Sequence, residues 1–523
     1  MNKLYLILFL LLFSPILKAQ TPYSQDSAWI RENYTKIEQY IPMRDGVKLF
    51  TSIYMPKDAT EKHPILMSRT PYSCAPYGVD NWRNFWDTHW RYYMREGYII
   101  VLQDVRGRFM SEGQFEDVRP FRKNKSGSSD IDEASDAYDT IDWLVKNLPN
   151  NNGRVGVFGI SYPGFYSTMA AASGHPALKA VSPQAPVTDW FMGDDFHHNG
   201  ALALMDGFNF YTGGFGFPRP APTPYRPVSK LKIPRNDNYQ TFLEIGPLSN
   251  FMRLTGDSIR FWKQLYAHPD YDEFWRSRDA RNAMFSVKPA MLTVGGLYDA
   301  EDCYGAWNLY KAIETQSPGT NSKIVMGPWY HGQWARGDGS SLGAIHFGSK
   351  TSEWYLNNIE IPFFQYHLKG KGSIDHLAEA TIFFSGENQW RSLDKWPPVQ
   401  TEPTPIYLHP RGELDWLPAF GKVPPTEYVS DPAKPVPYTG HIHFQRTREY
   451  MIDDQRFATR RPDVVSFTTP VLDSNLTLAG PVIADLMVAI SGTDADFVVK
   501  LIDVYPDDAP NGLGGYQQLV RGE

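Results

Sequence analysis

The chain has little cysteine, only Cys74 and Cys303 among 523 residues. That excludes a disulfide-knit scaffold and any zinc site built from several thiolates. It also lacks a basic excess. Lys and Arg number 51 against 58 Asp and Glu, for a formal net charge of −7, so no electropositive field is available for nucleic acid. Beyond Leu17 no apolar run approaches the roughly 20 residues that a membrane-spanning helix needs. No spacing of His, Cys and acids reads as a metal site either. His197 and His198 are adjacent, and neighbouring residues rarely converge on one ion.

The N-terminus reads Met1-Asn-Lys3, an apolar stretch from Leu4 to Leu17 broken only by Ser14 and Pro15, then Lys18-Ala19-Gln20. A charged start, a short apolar core and a small residue before a polar segment predict a signal peptide over 1–19. The expected mature protein is soluble, without stable membrane insertion, and secreted or periplasmic. In that setting Cys74 and Cys303 leave two readings open, a bridge between two loops or two buried thiols. Aromatics are abundant, with 30 Tyr, 30 Phe and 15 Trp, enough to fill cores and line pockets.

A chain of this length exceeds what one hydrophobic core supports, so more than one domain is expected. Short apolar runs at Pro64–Met67, Tyr98–Leu102, Val155–Phe158, Leu178–Val181, Ala290–Val294 and Lys323–Met326 alternate with helical patterns. This texture predicts an α/β domain over 20–370 with a mainly parallel sheet. Ala134, Ala137, Tyr138, Ile141, Leu144, Val145 and Leu148 recur at helical spacing ahead of the third run. About a hundred residues separate Val181 from Ala290, too many for a plain crossover, and predict a helical cap over about 186–285. After Gly370 short strand-like runs take over, at Ala380–Phe384, Thr404–Leu408, Val464–Phe467, Val482–Ile490 and Phe497–Val504. Residues 371–523 are therefore expected to form an all-β domain, a sandwich or jelly roll that stops without an obvious closing strand.

The chemistry concentrates in Val155-Gly-Val-Phe-Gly-Ile-Ser-Tyr-Pro-Gly-Phe165. Ser161 stands on a turn between an apolar run and a helix-like segment, flanked by Gly159 and Gly164 as G-x-S-x-x-G, one residue longer than the usual nucleophile elbow. Acyl transfer on such a sheet needs an acid and then a histidine, each at the end of a later strand. Gly295-Gly-Leu-Tyr-Asp299 and Gly327-Pro-Trp-Tyr-His331 place Asp299 and His331 there, in that order. His331 would take the Ser161 proton while Asp299 orients the imidazole. This chemistry requires no cofactor and no metal.

These motifs, with Asp104-Val-Arg-Gly107, Ser111-Glu-Gly113 and Phe497-Val-Val-Lys-Leu-Ile-Asp-Val-Tyr-Pro506, resemble the serine hydrolases that include cocaine esterases, X-prolyl dipeptidyl peptidases and α-amino acid ester hydrolases. The resemblance runs from about Ile41 onward. It implies an α/β-hydrolase core with an inserted helical cap and a C-terminal jelly roll. It also implies an oxyanion hole made by the hydroxyl of Tyr72, in Arg69-Thr-Pro-Tyr72, and the backbone N–H of Tyr162.

Within the family the α-amino acid ester hydrolases are most similar. They hold the substrate ammonium with carboxylates, represented here by Glu301 and Asp302 in Asp299-Ala-Glu-Asp302 and by Asp195 in Gly193-Asp-Asp195. The expected substrate is a small molecule with a free α-amine, or a short peptide, and homo-oligomers are known in that branch. Two departures stand out. Pro163 occupies a position where that branch carries an acid, and the jelly roll is short. An exopeptidase or general acyl esterase of the same family is the competing activity, and a carbohydrate-binding protein with a relic hydrolase domain is the non-catalytic one.

Overall fold

The structure, a computed structural model, describes residues 22–85, 88–219, 222–226, 231, 237–443 and 446–522. The leader expected at 1–19 lies outside the described residues.

Ten strands form the central sheet: β1 Tyr34–Pro42, β2 Lys48–Pro56, β3 His63–Thr70, β4 Ile99–Asp104, β5 Asn151–Ser161, β6 Leu178–Pro186, β7 Ala290–Gly296, β8 Ser322–Gly327, β9 Ala380–Phe384 and β10 Gln389–Leu393. Their spatial order is β1-β2-β4-β3-β5-β6-β7-β8-β9-β10. From β4 to β9 every neighbouring pair is parallel, while β1, β2 and β10 are antiparallel edges. The parallel strands read as continuous apolar runs because helices cover both faces, and β4 and β7 are buried along their whole length.

Helix α1, Glu133–Asn147, begins with a reciprocal cap in which Asp132 accepts from the Ser135 N–H and Ser135 Oγ accepts from the Asp132 N–H. Its apolar face, including Ala137, Ile141 and Leu144, enters the main core. Helix α2, Tyr162–Ala171, leaves β5 directly and is buried nearly throughout. The segment between β6 and β7 is helical as expected, with α3 Leu204–Phe210, α4 Asn238–Ile245 and α5 Arg260–Ala267. Aromatic packing holds it together, as where the Tyr211 and Phe261 rings stack with centroids 4.1 Å apart. Helix α6, Cys303–Gln316, follows β7.

Two findings differ from the expectation for the C-terminal part. Ala380–Phe384 joins the central sheet as β9, pairing in parallel with β8. A pentapeptide with Thr381 as its single polar residue fits there because it is buried on both faces. The strands expected at Val464–Phe467 and Val482–Ile490 pair with no neighbour among the described residues. Val482, Ile483 and Met487 are exposed, since an alternating pattern makes a strand only where a second strand accepts its N–H and C=O groups. Beyond β10, the strand pairs among the described residues of this C-terminal β-rich domain are Tyr407–His409 with Glu413–Asp415 and Lys500–Val504 with Gln517–Gly522.

Cys74 and Cys303 are both buried and form no disulfide, which corresponds to the second of the two readings left open above. Among the described residues no helix is long and apolar enough to cross a membrane.

Candidate active site

Three strand ends carry the residues expected to react. At the first, β5 turns into α2 through Ser161, whose backbone has φ 70° and ψ −129°. For a residue with a Cβ this region costs about 1–3 kcal/mol and persists only where its surroundings enforce it. The enforcing contacts are the two glycines. A Cβ on Gly159 would sit 2.4 Å from the Pro163 carbonyl oxygen, and one on Gly164 2.7 Å from that of Gln184. The extra residue in the motif is thus accommodated by Gly164 packing on β6.

At the second, Asp299 lies just beyond β7 and is almost fully buried. Its Oδ1 accepts the N–H groups of Glu301 at 2.8 Å and Asp302 at 3.0 Å, and Oδ2 stands 2.9 Å from Nδ1 of His331. Burial opposes its charge, but His331 and these donors outweigh it and hold the carboxyl below its usual range. His331, beyond β8, is 13 % exposed. Its Nε2 lies 3.4 Å from Glu301 Oε2. Burial disfavours the imidazolium, yet Asp299, Glu301 and Asp195 push the pKa up to about 9.

At the third, β3 leads to Tyr72. Asp104, at the end of β4, clamps this loop by accepting from the Cys74 N–H and the Tyr77 hydroxyl, both at 2.8 Å. The Asp104-Val-Arg-Gly107 motif is therefore scaffold. Its Arg106 forms paired bonds to Asp136 of α1 at 2.9 and 2.7 Å and to Asp45 at 2.7 and 3.2 Å. The Tyr72 ring is 40 % exposed in the cleft, while its hydroxyl is crowded by protein and hydrogen-bonded to Ser161. Crowding, then Asp195, Glu301 and Asp302, keeps the phenol well above its ordinary pKa, so it is a neutral donor. The Tyr162 N–H, first in α2, has no acceptor within its helix. Its side chain is structural: the hydroxyl accepts from the Val118 N–H at 2.8 Å and donates to Asp117 at 3.1 Å.

The two acids of Gly193-Asp-Asp195 divide their work. Asp194 is structural. Its carboxyl accepts from the Thr188 N–H and hydroxyl, the Asp189 N–H and the Gly305 N–H of α6, and burial still lifts it to about 8. Asp195 turns the other way, with its backbone in the left-handed region at φ 51°, and its Oδ2 accepts only the Trp190 indole N–H, at 2.7 Å. Burial first, then Glu301, raises it to about 7, against the hydrogen bond from Trp190. Asp302 is fully buried, and neither of its oxygens receives a hydrogen bond. Burial and the neighbouring acids hold it far above the carboxylate range.

Two site residues carry no sequence signal. Asp206 of α3 and Arg446 of the C-terminal domain meet at 2.9 and 3.1 Å, and Arg446 also donates to Glu301 Oε1 at 2.6 Å. The cap adds an aromatic wall, with the Phe210 and Phe215 rings 6.3 and 5.7 Å from Tyr72.

Glu301, Asp302 and His331 each bring one ligand-capable atom within 4.8 Å of the others. This donor set suits a cation, an ammonium as well as a metal ion. The whole arrangement presents a hydroxyl on a strained turn, an imidazole paired with a carboxylate, a phenol and a free helix N–H, and a carboxylate cluster.

Residues 45–333 match the family described as X-Pro dipeptidyl-peptidase (S15 family), and 373–522 match the X-Pro dipeptidyl-peptidase C-terminal non-catalytic domain. A cocaine esterase from Rhodococcus sp. is 30 % identical over 482 residues, covering 89 % of this chain and 80 % of that protein. A solved α-amino acid ester hydrolase superposes with a TM-score of 0.83 at 35 % identity, covering 94 % of this chain and 81 % of the other. An aminopeptidase from a marine sediment Thaumarchaeota archaeon does so with TM-score 0.83, 36 % identity and the same coverage.

Proposed function

The chain belongs to the X-Pro dipeptidyl-peptidase S15 family and is a serine hydrolase, and from that premise we propose that it cleaves esters or amides of α-amino acids through an acyl-enzyme. In this reading Ser161 Oγ attacks the substrate carbonyl as His331 takes its proton. Asp299 holds the Nδ1–H tautomer and stabilises the imidazolium. The alkoxide that forms meets the Tyr72 hydroxyl and the Tyr162 N–H. His331 then protonates the leaving group, and water releases the acid by the same steps in reverse.

The observation that carries the substrate class is Asp302. A fully buried carboxyl that receives no hydrogen bond, beside Asp195 and Glu301, is a costly arrangement for an empty pocket and a favourable one around an ammonium group. The likeness to a solved α-amino acid ester hydrolase supports the same reading. The second reading, release of an N-terminal residue or dipeptide from a peptide, rests on the same acids holding a free amine and on the aminopeptidase and dipeptidyl-peptidase relatives. The apolar leader of residues 4–17 supports export, which N-terminal sequencing of the mature protein would check.

One panel separates these activities: α-amino esters, acetyl esters, aminoacyl amides and X-Pro dipeptide amides, with fluorophosphonate labelling of the wild type and of Ser161→Ala. Labelling lost in Ser161→Ala and a marked preference for α-amino esters are expected. Asp195→Asn should cost about 2–3 kcal/mol in kcat/KM on the α-amino ester and leave the acetyl ester almost unchanged. Equal losses on both would refute the ammonium site.

A further inference from the structure

Arg446 reaches the site along a strap of the C-terminal domain that crosses the cap. The Tyr239 hydroxyl donates to the Pro435 carbonyl at 2.7 Å and the Asn238 N–H to that of His443 at 3.3 Å. Three residues further on, the guanidinium is only 14 % exposed. It bonds Asp206 through Nε and Glu301 through Nη2. Asp195, Phe196, Asp206, Phe210, Glu301 and Arg446 line one cavity of about 240 Å³.

An α-amino acid held by its ammonium at Asp195 and Asp302 has its side chain two bonds from that nitrogen, and Asp195 also lines this cavity. Its walls combine two phenyl rings with a guanidinium whose counter-ions are already engaged. Arg446 holds one Glu301 oxygen and both Asp206 oxygens, so it removes the carboxylates that a second cation would need. It also presents a positive charge of its own to whatever enters. We propose that Arg446 is a specificity-determining residue that restricts the cavity to uncharged acyl side chains and excludes those carrying a second cation, such as lysine. The proposal rests on the α-amino ester reading above.

The test compares methyl esters of norleucine and lysine, which differ by the terminal ammonium group. Wild type should favour norleucine by about 100-fold in kcat/KM, the scale of one like-charge contact at low effective dielectric. In Arg446→Met the ratio should fall below about tenfold, chiefly through a lower KM for the lysine ester, whereas Arg446→Lys keeps the charge and the wild-type ratio. Asp206→Asn leaves the guanidinium less neutralised and should widen the ratio, and it decides the matter if Arg446→Met does not fold. A ratio that is equal in wild type, Arg446→Met and Asp206→Asn overturns the proposal. The α-amino reading fails separately, and takes this proposal with it, if wild type hydrolyses N-acetylnorleucine methyl ester as fast as the free-amine ester.

Discussion

At the scale of single residues, His331 concentrates the electrostatics of the site. Asp299 on Nδ1 is the partner a general base requires, but Glu301 at 3.4 Å from Nε2 also favours the protonated ring. With a pKa raised to about 9, nearly all of the free protein at neutral pH carries His331 charged, which in the proposed mechanism is an inactive base. Activity must therefore rise with pH up to that value. Glu301→Gln removes an anion that favours the imidazolium, so the acid limb of kcat/KM on an acetyl ester, which makes no use of the ammonium site, should move to lower pH. A limb that stays in place would show that Glu301 does not act on His331. Tyr72→Phe removes one oxyanion donor and should lower kcat by about 10²–10³ while KM changes little. The placement of Ser161, Asp299 and His331 at strand ends was legible because each follows a point where a short apolar run stops. Asp206 and Arg446 were not. They are 240 positions apart, and only the folded chain places one opposite the other.

At the scale of elements, the β5–α2 turn decides whether the nucleophile exists. Gly159→Ala would drive a methyl group into the Pro163 carbonyl. Backbone cannot yield as a flexible side chain can, so a loss of about 2–3 kcal/mol in stability and a far larger loss of activity are expected, read by denaturant melts beside ester assays. A melt and a rate both like wild type would show the turn to be less constrained than its geometry requires. The parallel strands were legible for a related reason. Burial on both faces demands uninterrupted apolar runs, and in a chain with few such runs each one marks a strand. The C-terminal strands alternate instead, and alternation specifies a strand only in the presence of a partner. Ala380–Phe384, buried at every position, is a run of the other kind and pairs with β8, while Val482–Ile490 has no partner among the described residues.

At the scale of the whole molecule, the site makes stability depend on pH in a direction opposite to ordinary acid denaturation. Asp104, Asp195 and Asp194 bind protons in the folded state up to about pH 6, 7 and 8, against an ordinary aspartate value of 3.8. His331 stays protonated up to about 9 against 6.5. Between those limits the folded chain holds more protons than the unfolded one, so unfolding free energy falls as pH rises, by up to about 1.4 kcal/mol per pH unit for each excess proton. The His331 share is fully present below 6.5 and lost by about 9. Asp299 has the opposite sign, but its share is lost only below its ordinary value of 3.8, outside this window. The melting temperature should therefore fall steadily from pH 6 to pH 9. An ammonium ligand supplies the positive charge that those protons otherwise provide, so norleucine methyl ester, still largely protonated at pH 7, bound to Ser161→Ala should raise the melting temperature more at pH 7 than at pH 6. The reverse order, or a flat pH profile without ligand, would mean that the buried acids of the cluster are not what sets the molecule's charge-dependent stability.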